Sequence, residues 1–76
     1  MFTYDIDFYN KLQNLCADIG LEFYQADGKV PTFDISDGDT VYSGILNVRR
    51  VLKDKGTEEM RDLFENILST VREIKD

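Results

Sequence analysis

The apolar residues of this chain change their spacing twice, from helical to alternating and back, and that change leaves few folds open. Phe8, Leu12, Leu15, Cys16 and Ile19 recur at three- and four-residue intervals, which lines one face of a helix. From position 21 the period drops to two: Leu21 and Phe23 alternate with Glu22 and Tyr24, and Phe33 and Ile35 alternate with Thr32, Asp34 and Ser36. Ile45, Val48, Val51 and Leu52 then restore helical spacing, and Met60, Leu63, Phe64, Ile67, Leu68, Val71 and Ile74 continue it as an arc without polar interruption. The order is αβββαα, an α+β chain.

Punctuation residues agree with this division. Asp5 is placed to cap a first helix over about residues 5–19, with Tyr4 and Tyr9 positioned as a hydrophobic staple and Gly20 as its stop. Asp27-Gly28 is a hairpin signal and Asp37-Gly38-Asp39 a second turn, which predicts a three-stranded antiparallel meander. Pro31 has no N–H for a ladder, so the middle strand should begin or bulge there. Ser43 is the expected cap of a second helix over about residues 44–55, and Thr57 that of a third, after Lys55-Gly56. So short a join predicts a helical hairpin. Without repeats, linkers or low-complexity tracts, residues 1–76 read as one domain.

Composition narrows the function. The chain has no histidine, which removes the usual general base, the commonest metal ligand and every Ser-His or Cys-His nucleophile. Cys16 falls on the apolar side of the first helix, where a thiol packs as a small hydrophobe. One cysteine allows no internal disulfide and suits a reducing compartment. The start, MFTYDIDFYN, lacks the basic and apolar regions of a secretory signal, and no apolar run is long enough to span a bilayer. The expectation is a cytoplasmic protein without membrane contact. The acids around Gly38 fail the EF-hand spacing: position twelve of the loop is Ile45 counted from Asp34 and Val48 counted from Asp37. No glycine-rich phosphate loop is present. The reading is a binding protein with no enzyme activity, cofactor or metal.

Charge supplies the candidate site. Residues 1–48 hold eight acids against Lys11 and Lys29, and residues 49–76 hold seven acids and seven bases, so the net charge of −6 comes from the first part. Such a field repels phosphates and attracts basic surfaces. Glu22, Asp27, Asp34, Asp37 and Asp39 are expected to share the sheet and its turns, with Tyr24, Phe33 and Tyr42 as aromatic anchors near its surface. Glu58, Asp62 and Glu65 predict a second acidic row on the third helix, extended past Ser69 to Glu73 and Asp76. Arg49, Arg50, Lys53 and Lys55 are the one basic cluster, expected to be occupied mainly by ion pairing within the chain.

In size, charge and αβββαα order the chain resembles small acidic phage and mobile-element proteins that block bacterial defence systems, anti-CRISPR proteins among them. At least one anti-CRISPR family has a helix, three strands and two helices in this order. The likeness spans the whole chain but involves no shared motif, so it assigns no site residue. It implies an inhibitor that mimics nucleic acid and occupies the basic, nucleic-acid-binding surface of a protein in the host cytoplasm, without touching nucleic acid itself. The alternative is a general interaction module, including a homodimer formed through a helical hairpin or an exposed strand. A third reading is a regulator that contacts nucleic acid through Arg49, Arg50 and Lys53.

Overall fold

A computed structural model describes residues 2–26 and 31–73. The elements are β1 (Phe2–Thr3), α1 (Ile6–Asp18), β2 (Glu22–Ala26), β3 (Thr32–Ser36), β4 (Val41–Ser43), α2 (Ile45–Lys55), α3 (Glu58–Thr70) and β5 (Arg72–Glu73). The fold is α+β, and its main elements follow the order read from the sequence: a helix, an antiparallel β2-β3-β4 sheet and two helices. Asp27 and Gly28, the predicted hairpin, lie outside the described residues.

Local chemistry explains the helix ends. Asp5 Oδ1 accepts from the backbone N–H of Asp7 and Phe8 at 3.0 and 3.2 Å, satisfying donors that the first turn leaves open. Tyr4 and Tyr9 close over that cap with ring centroids 5.3 Å apart. At the other end Gly20 takes φ +80°, the left-handed conformation, and the Leu21 N–H reaches Cys16 O at 2.8 Å in a Schellman stop. Ile19, expected on the buried face, is instead 48% exposed. It is the C-cap residue, at φ −113° and ψ 18°, so the backbone has left the helix before its side chain can face the core.

The predicted Ser43 cap is also corrected. Ser43 belongs to β4, and the N-cap of α2 is Gly44, at φ +95° and without a side-chain cap bond. The Ser43 carbonyl accepts from Asn47 Nδ2 at 2.8 Å instead. Ile45, the first residue of α2, is 37% exposed rather than turned inward. Thr57 caps α3 as expected, accepting from the Met60 N–H at 3.3 Å. The middle strand begins at Thr32, directly after Pro31.

All three helices contribute to one layer on one side of the sheet. Leu12, Phe23, Phe33, Ile35, Val48, Leu52, Phe64 and Ile67 are wholly or almost wholly buried between the layers. Phe23 and Phe33 stack at 5.9 Å with an interplanar angle of 3°, and Phe64 of α3 meets both edge-on at 5.9 and 5.6 Å. These are favourable aromatic geometries, and they join β2 and β3 to the final helix. α3 packs more extensively on α1 than on its hairpin partner α2. Thr70 Oγ1 accepts from the Asp5 N–H at 3.0 Å, which locks the end of α3 to the start of α1.

One element was not anticipated. After α3 the chain extends, and β5 pairs antiparallel with β1, placing Phe2 opposite Glu73 and Thr3 opposite Arg72. Among the described residues no helix is long and apolar enough to cross a membrane.

Candidate functional site

Register decides which side chains the sheet displays. Phe23 lies opposite Ile35 and Ile35 opposite Tyr42, so these three share the inner, core-facing side. The intervening rows therefore face outward: Glu22, Ser36 and Val41 in one, Tyr24, Asp34 and Ser43 in the next, and Ala26 with Thr32 in the third. No described helix covers this outer face, whereas α1 and α2 pack on the inner one. The strands of this sheet, β2, β3 and β4, contain no lysine or arginine.

The outer face brings together Glu22, Tyr24 and Asp34, three of the residues singled out from the sequence. Tyr24 and Asp34 are direct cross-strand neighbours and half-buried, and Glu22 is exposed beside them. Among the described residues no ion pair involves Glu22 or Asp34.

The other predicted positions separate from that face. Tyr42 points to the inner side, where it packs against the buried core, because an odd–even shift in β4 sends it opposite Ile35 rather than Asp34. Phe33, expected near the surface, has no exposure at all. Asp27 lies outside the described residues. Asp37 is used up by its own turn. Its Oδ1 accepts from the N–H of Asp39 and of Thr40, each at 2.9 Å, and its Oδ2 accepts from Lys55 Nζ at 3.0 Å. Those two backbone donors, first Thr40 and then Asp39, together with Lys55 hold the Asp37 carboxyl down to about 2. Asp39 stays exposed at the tip of the turn, within the electrostatic reach of Lys55.

The acidic row on α3 is interrupted. Arg49 grips Glu65 in a bidentate pair, Nη2 to Oε1 at 2.7 Å and Nε to Oε2 at 2.9 Å, and the Glu65 carboxylate raises the guanidinium pKa. α3 ends at Thr70, so Glu73 sits in β5 and does not prolong the row, and Asp76 lies outside the described residues. Half of the basic cluster is committed too, Arg49 to Glu65 and Lys55 to Asp37, while Arg50 and Lys53 are exposed.

Sequence reasoning missed a concavity of about 440 Å³ between α2 and α3, floored by Leu52 and Phe64 and edged by Arg49, Lys53 and Arg61. Two of its cations serve the fold: Arg49 holds Glu65, and Arg61 Nη1 donates to the Leu52 and Gly56 carbonyls at 3.2 and 3.5 Å. The latter neutralises the carbonyl end of α2. The hairpin spacing of residues 52–61 was the available signal for that contact. Elsewhere, Cys16 is fully buried, and burial raises its thiol pKa to about 11, which leaves it without thiolate character. Among the described residues no three His, Cys, Asp or Glu side chains are grouped to hold a metal ion.

No protein-family model, curated protein or solved structure matches this chain.

Proposed function

We propose that this chain is a non-catalytic inhibitor that places its outer sheet face on a basic, nucleic-acid-binding surface of another protein. The observation that supports this most is the pairing of Glu22 and Asp34 with Tyr24 on an uncovered face whose described strands hold no cation. Rigid strands hold those carboxylates at fixed positions, so little ordering entropy opposes docking. Tyr24 contributes apolar area with a polar tip, as interface anchors do. A surface built to receive phosphates offers arginine and lysine donors, and carboxylates satisfy the same donors. The net charge of −6 adds attraction at longer range.

The committed roles of Asp37 and Glu65 narrow the interface relative to the sequence reading, from a broad acidic field to one compact face. An arginine-rich peptide is a suitable probe for it. The protein should bind that peptide with an affinity that falls as salt rises, and a single-stranded oligonucleotide should compete with the protein for the peptide. Binding that is insensitive to salt would contradict the proposal. The alternative, a dimerising interaction module, is favoured by a separate observation at the edge of the same sheet.

A further inference from the structure

The two edges of the β2-β3-β4 sheet differ. At the β2 edge, Gln13 Nε2 donates to the outward-facing Phe23 carbonyl at 2.9 Å, and the Gln25 backbone hydrogen-bonds Tyr9. α1 thus seals that edge with side chains. At the β4 edge the hydrogen-bonding parity is fixed by two contacts, Gly44 N–H to Phe33 O at 3.0 Å and Asp37 N–H to Thr40 O at 3.3 Å. The bonded rows are therefore 33 with 44, 35 with 42 and 37 with 40, so the backbone groups of Val41 and Ser43 point away from β3. Apart from the Asn47 amide on the Ser43 carbonyl, nothing described caps them.

Apart from the shortness of β4, three residues, the usual protections of an edge are missing among the described residues. β4 carries no lysine, proline or inward-pointing charge. Its outward side chain, Val41, is 55% exposed, and Leu46, in the first turn of α2 at the end of the strand, is 70% exposed. The charges that flank the edge have opposite sign at its two ends. Asp39 precedes β4, and Arg50 stands one helical turn beyond Leu46, beside Ser43 and Thr32.

We infer that β4 is a self-association edge, and that two copies of this chain pair antiparallel through Val41–Ser43 about a twofold axis at Tyr42. In that register Val41 of each copy faces Ser43 of the other, and these residues are the ones whose N–H and C=O groups point outward. Antiparallel alignment also brings the Asp39 end of one strand to the α2 end of the other, so Asp39 approaches Leu46 and Arg50 of the second copy. A parallel arrangement would set like charges together. A second copy therefore fits both the backbone pattern and the charge order. Pairing would join two three-stranded sheets into one continuous sheet and double the outer face that carries Glu22, Tyr24 and Asp34. It does not depend on the binding role proposed for that face.

Sedimentation equilibrium of the full chain over a wide concentration range tests this. The expected result is a monomer–dimer equilibrium that Val41→Lys weakens by about tenfold or more, since a charge on an edge strand opposes pairing. Leu46→Glu, at an exposed position in the first turn of a helix where an acid is tolerated, is the second variant and should act in the same direction. Asp39→Arg should weaken the dimer and Asp39→Arg with Arg50→Asp should restore it. A single-chain mass at every concentration would overturn the inference. So would a dimer indifferent to both Val41→Lys and Leu46→Glu, because it would use another surface.

Discussion

Lys55 Nζ lies 3.0 Å from Asp37 Oδ2, which ties the last residue of α2 to the turn between β3 and β4. The two residues are far apart in sequence, yet each completes the other's local structure. Asp37 organises the turn through its second oxygen, and Lys55 sits where α2 exposes its final carbonyls.

The contact makes a pH prediction. Asp37 titrates at about 2 in the fold, below the ~3.9 of an unperturbed aspartate. A depressed folded-state value means that the stabilisation is present above the unfolded pKa and is lost as pH falls from about 4 through about 2. Thermal melts of the wild type and Asp37→Asn should therefore differ at pH 6, with the wild type more stable, and converge towards pH 2. A gap of constant size across that window would show that the carboxylate has no such role.

Phe64 is the ring on which both sheet aromatics converge, and it has no exposure. Phe64→Ala removes that contact and leaves a cavity under Phe23 and Phe33, at a cost of about 3–5 kcal/mol. Urea denaturation should show the midpoint falling accordingly. Phe2→Ala, at a half-buried residue of the short β1–β5 pair, should cost clearly less.

Cys16 should be chemically silent in the folded protein. Its thiol is fully buried, and burial raises its pKa to about 11. A thiol reagent such as DTNB should label it slowly in buffer and rapidly in denaturant. Fast labelling under native conditions would mean that α1 detaches readily from the core.

Features set by near neighbours were legible in the sequence, and features set by distant ones were not. Asp5, Gly20 and Thr57 act within a few residues of themselves, and each performs the capping or stopping role its type suggests. The arc from Met60 to Val71 announced α3 because helical spacing is a local property. Ile19 failed because periodicity does not say where a helix releases its backbone. Tyr42 failed because the face of a short strand depends on register, and one step reverses every side chain. The acidic site was half legible for the same reason. Alternation put Glu22, Tyr24 and Asp34 on one face, but the diversion of Asp37 to Lys55 and of Glu65 to Arg49 arises from helices packed in three dimensions. The β1–β5 pair joins the two ends of the described chain, and no local pattern marks strands of two residues.

Chemical-shift mapping tests most directly the proposed binding of cations by the outer sheet face. Titration of the isotopically labelled chain with an arginine-rich peptide should move the amides of Glu22, Tyr24 and Asp34 first and most. Glu22→Gln with Asp34→Asn should weaken the peptide by about tenfold, as loss of charge-assisted contacts implies. Asp37→Asn, whose carboxylate is already engaged, should leave peptide binding nearly unchanged. Shifts centred on Asp62 and Glu58 of α3, or binding untouched by the Glu22 and Asp34 changes, would contradict that role for the sheet face.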